Sequence, residues 1–403
     1  MNIKKFGLLP RVILGIILGV IFGFFLPTFL VRVFVTFNSL FSEFLSFVVP
    51  LIIVGLVIPA IADLGRGAGK LLLITAILAY GSTAFSGFFT YFSCFFSLPH
   101  ILPNNDAMAA VTDSSVLDSL LPYFVIKFPP ALDVMSSLIL AFLMGIGLAF
   151  IKGNTLKYAI NDFKDVIEWL IHKIVIPLLP IYIFGVFLTM SSTGQVIGIL
   201  GLFMRVIVLI FILQVVLIVF QFAIAGLVAG KNPFKLLKNM LPAYFTALGT
   251  SSSAATIPVT LDQTLKNGVK EDVANFVVPL CATIHLSGST MKIVSLTMAL
   301  LMMSGEPIDF HTYAGFILML GVTMVAAPGV PGGAIVAALG LINSMLPFDD
   351  NLGALLVALY IAIDSFGTAC NVTGDGAIAV VMDKIVDIFN RRKSKKNKVE
   401  QAQ

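Results

Sequence analysis

Within the first 230 residues of this 403-residue chain, six long stretches run without an Asp, Glu, Lys or Arg: Val12 to Val31, Phe44 to Ala62, Leu71 to Pro99, Val134 to Ile151, Ile174 to Met204 and Val206 to Gly230. Each reaches or exceeds the roughly 18 apolar residues that mark a membrane-span candidate. An ionised side chain at the bilayer centre costs about 3 kcal/mol or more, so charge-free runs of this length are what a lipid solvent selects. Only 11% of the residues are charged and 58% are hydrophobic, where an ordinary water-soluble domain carries roughly 25% charged. The expected fold class is an all-α polytopic membrane protein, and no water-soluble fold could hide this much apolar surface.

The charges that remain are placed by topology. Lys4, Lys5 and Arg11 precede the first apolar run, and Arg391, Arg392, Lys393, Lys395, Lys396 and Lys398 follow the last. By the positive-inside rule both termini are expected in the cytoplasm, with a multi-pass chain in the plasma (inner) membrane. Arg66/Lys70, Lys152/Lys157/Lys164 and Lys231/Lys235/Lys238 mark further inner loops, whereas Glu306, Asp309, Asp349 and Asp350 flank segments facing outward. The net charge of +4 is thus no signal for nucleic acid, and lipid is the expected environment. Cys94, Cys281 and Cys370 lie in apolar segments without paired spacing, which argues against a disulfide framework. The first apolar run extends past a signal-peptide core and lacks a small-residue cleavage site, so it reads as a retained helix.

Residues 1–230 form a first half of six plain spans, expected near 10–36, 38–64, 69–98, 131–152, 160–192 and 196–230, with 100–130 as an outer excursion. The second half, 231–390, is interrupted. A first hairpin over 234–266 holds two short helical pieces, 239–248 and 257–266, around Gly249-Thr250-Ser251-Ser252-Ser253-Ala254-Ala255-Thr256. Neither piece reaches the about 20 residues needed to cross the hydrocarbon core. A seventh span, 273–304, is interrupted at His285 to Thr290. A second hairpin over 312–347 follows, its arms 312–327 and 333–347 flanking Pro328-Gly329-Val330-Pro331-Gly332-Gly333. The last span, 352–390, is interrupted at Gly367 to Asp375, and residues 391–403 form a basic cytoplasmic tail. Hairpin plus interrupted span, twice and from opposite faces, is an inverted repeat of the kind secondary transporters build around a midplane site. Irregular backbone survives at that depth only when buried in protein or lining a cavity.

Within the last span, Asp364, Thr368, Asn371 and Asp375 recur at intervals of four, three and four and share one helical face. Two carboxylates in a membrane segment demand cations, hydrogen-bond donors or protons. Asn371-Val372-Thr373-Gly374-Asp375 is expected to break the helix and free carbonyls for an alkali cation. Ser251, Ser252 and Ser253 form the tip of the first hairpin, with Thr256 expected to cap the returning helix and Pro258 to sit in its first turn. That helix N-terminus suits an anionic group such as an amino acid's carboxylate. The second tip, from Gly329 to Gly333, offers backbone contact and either movement as a gate or a rigid turn. His285 and Lys292, seven apart, fall near one helical face. Lys292 is either a fixed cation neutralising Asp364 or Asp375, or a snorkelling side chain; His285 is either a proton carrier or a packing residue. An ion channel is disfavoured by the lack of a repeated pore-lining charge ring. An enzyme is disfavoured because His285 has no catalytic partner in sequence and no zinc-type spacing occurs. No cofactor is expected.

Taken together, these motifs resemble the dicarboxylate/amino acid:cation symporters that include the glutamate-transporter homologues. Thr250 to Thr260 is similar to that family's first-hairpin signature, Gly329-Val330-Pro331-Gly332 to its second and Asn371-Val372-Thr373-Gly374-Asp375 to its last-helix motif; Leu64-Gly65-Arg66 agrees as well. The resemblance implies a homotrimer in which a scaffold carries a mobile transport domain, made of spans three and six with the second half, by an elevator motion. It implies substrate contacts at Ser251, Ser252, Ser253, Ser289, Val330, Asp364, Gly367, Thr368 and Asn371, with Asp364 receiving an amino group. It implies a sodium site among Thr283, His285, Ser287, Asn371 and Asp375. Two departures bear on the solute. Gly367 stands where acidic-amino-acid members carry an arginine, and His285-Leu286-Ser287-Gly288-Ser289 stands where they carry Asn-Met-Asp-Gly-Thr. The expected function is sodium-coupled symport of a small neutral amino acid. The alternative is a dicarboxylate or acidic amino acid, with Lys292 as carboxylate partner and protons as coupling ion.

Overall fold

Helix is the regular structure found among the described residues, as lipid demands, because backbone N–H and C=O groups at the bilayer core find no water and must pair within their own segment. This computed structural model describes residues 8–65, 70–102, 120–194, 196–325, 327, 331–348 and 350–400. In chain order the helices are α1 (Leu8–Gly23), α2 (Thr28–Gly65), α3 (Lys70–Ile101), α4 (Val134–Phe150), α5 (Thr155–Ser192, with a π-helical turn at Ile171–Val175) and α6 (Val196–Ala229). The interrupted half follows as α7 (Pro233–Thr250), α8 (Ser253–Lys266), α9 (Glu271–Ile284), α10 (Ser287–Met303), α11 (Phe310–Val325), α12 (Gly333–Met345), α13 (Asp350–Ala362) and α14 (Asp364–Glu400). Thr28–Pro59, Leu71–Ile101, Thr155–Ser192, Phe203–Ala229 and Glu271–Met303 are long and apolar enough to cross a membrane. The α13–α14 pair passes the same measure as one span bent by 61°. Phe96, Phe150 and Leu227 are among the large apolar side chains left exposed on these helices, a surface that suits lipid rather than water.

The first two spans divide differently from the expected 10–36 and 38–64. Gly23 ends α1, and Phe24, Phe25 and Leu26 close it with bonds to Ile21 O and Phe22 O. Pro27, with fixed φ and no N–H, starts α2 instead, its carbonyl accepting from Leu30 N and Val31 N. Helix α1 lies on α5 through Gly15, Gly19 and Gly23. A Cβ at these positions would meet Pro180 O at 2.7 Å, Phe184 O at 2.6 Å and Ser191 Cβ at 2.3 Å, so small residues at intervals of four let two backbones touch. Within the expected outer excursion, 103–119 lies outside the described residues. The part from Leu120 to Asp133 runs along α2 and satisfies its polar groups. Arg32 Nε donates to Leu121 O (2.9 Å), Tyr123 N donates to Thr36 Oγ1 (2.8 Å) and Phe128 N donates to Glu43 Oε2 (3.3 Å).

In the interrupted half the breaks at the first hairpin tip and in the seventh span are shorter than expected. Asn232 caps α7 by accepting from Phe234 N and Lys235 N, and Pro233 takes the first helical position. The helix then continues to Thr250, so the first arm is longer than 239–248, and the tip narrows to Ser251 and Ser252. Ser252, not Thr256, caps the returning helix, accepting from Ala255 N. Thr256 is already one turn inside and donates back to Ser252 O at 2.8 Å, which moves Pro258 beyond the first turn. Lys231 Nζ closes the base of this hairpin on Asn267 O and Gly268 O. At the second hairpin, Asp309 accepts from Thr312 N (2.8 Å) and Thr312 Oγ1 (3.0 Å), and these donors hold its pKa below the usual value. The span of α9 and α10 is interrupted only at His285 and Leu286.

The last span differs most. Its break falls at Ile363, between α13 and α14, and Asn371 to Asp375 lies inside continuous α-helix, so this motif frees no carbonyls. Thr368 Oγ1 and Thr373 Oγ1 donate to Asp364 O and Ala369 O within the helix. Gly374 marks a close contact rather than a break. Its Cβ would strike His285 Cε1 at 2.6 Å and Gln221 Oε1 at 2.8 Å.

Candidate functional site

The site is built where the first turns of α14 meet the start of α10. Helix α10 begins at Ser287 deep in the protein, where its leading N–H groups have no water to serve them. Its preceding residue, Leu286, offers no capping side chain. Asn371 supplies the cap from across the interface: Oδ1 accepts from Gly288 N at 2.7 Å and Ser289 N at 3.3 Å, and Nδ2 donates to Ser289 Oγ at 3.0 Å. Gly288 permits this approach, since a Cβ there would lie 2.6 Å from both Gly367 O and Cys370 Cβ.

The break at Ile363 puts Asp364 at the N-terminus of α14, where the helix dipole favours its negative charge. Lys292 of α10 donates from Nζ to Asp364 Oδ1 at 2.9 Å, and the lysine side chain is fully buried. The ammonium also sits 3.7 Å from the centroid of the Tyr360 ring. The lysine stem occupies the space left by Gly367, whose Cβ would meet Lys292 Cε at 2.2 Å. Asp364 Oδ2 accepts from Gly332 N at 2.8 Å, which brings the tip of the second hairpin to the same carboxylate. The structure pairs Lys292 with Asp364 rather than Asp375.

Asp375 takes the other basic side chain. His285 Nδ1 lies 2.9 Å from Asp375 Oδ1 and Nε2 lies 3.0 Å from Ser82 Oγ of α3. A carboxylate only accepts, so the Nδ1–H tautomer fits, with Ser82 donating to Nε2. Gln221 Nε2 of α6 donates to Ser82 Oγ (3.1 Å) and Ser287 Oγ (3.2 Å), and Ser86 Oγ donates to Ser287 O (2.6 Å). Asp375 Oδ2 and Gln221 Oε1 remain buried without a hydrogen-bond partner. Hard oxygens of this kind suit an alkali cation. Among the described residues no three His, Cys, Asp or Glu side chains cluster as a transition-metal site would need.

The remaining expected residues are distributed as follows. Ser251 and Ser253 are buried at the first hairpin tip and Ser252 is partly buried. Ser251 adopts φ 49°, the left-handed region, a costly conformation for a non-glycine residue. Ser289 and Thr368 are buried beside Asn371 and Asp364. Thr283 stands apart, exposed and donating back to Leu280 O. Val330, with Pro328 and Gly329, lies outside the described residues. Reading the sequence by its broken spans overlooked Ser82, Ser86, Gln221 and Tyr360. For the first three a signal was present: Ser82, Ser86 and Thr90 recur at intervals of four in α3, and Gln214 and Gln221 at seven in a run otherwise apolar.

The profile of the sodium:dicarboxylate symporter family matches residues 8–385. This chain belongs to that family. The family member is therefore a transporter and not an enzyme, a multi-pass membrane protein whose partners are a solute and a coupling cation. Among curated relatives it is similar to the serine/threonine transporters SstT of Acinetobacter baumannii strains AYE, AB307-0294 and ATCC 17978. Each is 28% identical over 369 residues, covering 89% of this chain and 91% of the relative.

Proposed function

We propose that this symporter takes up a small neutral amino acid across the plasma membrane, coupled to sodium. The observation that carries this reading is the Lys292–Asp364 pair, 2.9 Å apart and buried. The fixed cation of the site is already balanced by a fixed anion, so the substrate pocket is electrically neutral before the solute arrives. A zwitterion keeps it neutral. A dicarboxylate or an acidic side chain would bring an uncompensated negative charge into a low-dielectric site, which costs several kcal/mol. In this reading the solute's ammonium takes Asp364 Oδ2 once Gly332 lifts away, while Lys292 keeps Oδ1. Its carboxylate goes to the serine tip and the N-terminus of α8. Ser289, Thr368 and Asn371 are taken as further solute contacts on the same face. Asp375 Oδ2, Gln221 Oε1 and Ser287 are the oxygens offered to sodium, with Thr283 nearby in sequence. The family setting supports an elevator motion within a homotrimer, and the basic ends support cytoplasmic termini. The names of the serine/threonine relatives agree with a neutral solute.

The test is uptake by proteoliposomes of labelled serine, threonine, alanine, aspartate and succinate under an inward sodium gradient or with sodium replaced by choline. Neutral amino acids should be accumulated only with sodium, and Asp375→Asn should lower sodium-driven uptake at least about 10-fold, the equivalent of 1.4 kcal/mol. Preference for aspartate or succinate overturns the neutral solute. Undiminished uptake in choline removes sodium from the cycle.

A further inference from the structure

A fully buried lysine at membrane depth is stable only where its charge is used, and every atom of Lys292 beyond Cγ is held. The stem packs on the bare backbone of Gly367, and the ammonium contacts Asp364 Oδ1 and the Tyr360 ring. Asp364 in turn divides its oxygens between two elements. Oδ1 faces the fixed cation, while Oδ2 accepts from Gly332 N, where φ is 75° at the tip of the second hairpin. A carboxylate buried without a counter-charge would drive the tip away to admit water or a cation. The Gly332 bond therefore depends on something cancelling the charge of Asp364, and in this chain the canceller is covalently attached.

We infer that Lys292 is a built-in counter-cation that lets the second hairpin close over an empty site, a positioning residue that acts on Gly332 through Asp364. A carrier that accumulates solute has to travel back unloaded, and a site closed by its own lysine makes that journey with no cation bound at Asp364. The inference rests on the proposed carrier cycle only in taking the second hairpin as the cover of the solute path.

Hydrogen exchange read by mass spectrometry on the full chain in lipid nanodiscs tests it, using peptides that contain Gly332, in solute-free buffer with N-methylglucamine as the sole cation. The native protein should protect this tip, and added sodium should change its exchange less than about 2-fold. Lys292→Met, close in shape but uncharged, should exchange at the tip at least about 10-fold faster and regain protection when sodium is supplied. Lys292→Met/Asp364→Asn removes both charges and keeps an oxygen for Gly332, so its tip should be protected without sodium. A native tip that needs sodium, a Lys292→Met tip as protected as the native one, or a double variant as open as the single one each overturns the inference. If α10 itself loses protection in Lys292→Met, the double variant decides alone. None of these outcomes depends on which solute is carried, so a failure of neutral amino acid uptake and a failure of this inference are told apart.

Discussion

Asn371 shows how one side chain can be both site and structure. It shares a helical face with Asp364 and Thr368, yet its three hydrogen bonds all go to Gly288 and Ser289 at the head of α10. Removing it leaves two buried backbone donors unpaired, at about 1–3 kcal/mol for each buried group stranded. Asn371→Ala is therefore expected to lower the thermal midpoint of the detergent-purified protein by several degrees even without solute. Asn371→Asp keeps the acceptor but buries a second carboxylate near Asp375, and it should not rescue. An unchanged midpoint in Asn371→Ala would mean that water replaces the cap and that the residue serves solute alone. Asp364 and Asp375 were legible in the sequence because burying a carboxylate in lipid is expensive enough to need a reason. Their partners were not. The seven-residue spacing of His285 and Lys292 suggested a shared face, but the break at His285 and Leu286 separates them, and each pairs with a different acid. Ser82 and Gln221 escaped for another reason: regular spacing of hydroxyls or amides in an apolar span marks a polar stripe, and only the fold says what that stripe faces.

At the scale of elements, the two hairpins could be read from sequence because paired arms too short to cross a bilayer leave few alternatives. The location of each break could not, because glycine has two uses that look alike in a sequence. Gly332 takes a positive φ at a tip, as expected of a turn. Gly374 and Gly367 sit in continuous helix and exist for what packs on them, His285 and Gln221 in one case and Lys292 in the other. The α1–α5 contact is the same device at larger scale, and it yields a prediction. Gly19→Ala places a methyl group 2.6 Å from Phe184 O and 3.0 Å from Phe187 Cβ. The obstructing backbone cannot give way, so the cost should be about 1–3 kcal/mol, the usual price of overpacking. Gly147→Ala in α4, where a Cβ would meet nothing within 4 Å, should be neutral or stabilising by up to about 1 kcal/mol from helix propensity. Thermal unfolding of both variants checks the pair; equal midpoints would mean that the helices slide apart without penalty.

For the whole molecule the question is whether the two hairpins enter from opposite faces, since a midplane site reached alternately from each side needs that inversion. The chain arrives at the first hairpin past Lys231 and Lys235 and leaves it at Lys266, whereas Glu306 and Asp309 precede the second. Basic loops stay with the cytoplasm, so the bases of the two hairpins should lie on different sides of the membrane. The protein is well suited to a direct measurement, because Cys94, Cys281 and Cys370 are all buried and should react slowly with a membrane-impermeant maleimide. Lys266 and His311 are exposed, with 57% and 93% of their side chains accessible. Replacing Lys266 forfeits only a surface pair with Asp262, worth about 1 kcal/mol or less. His311→Cys is expected to label on intact cells. Lys266→Cys should label only after the membrane is permeabilised. Labelling of both on intact cells, or of neither, would place the two hairpins on one face. The Lys292–Asp364 pair would then lie beneath a cover with no counterpart on the other side, and the charge-neutral pocket would have one entrance instead of two.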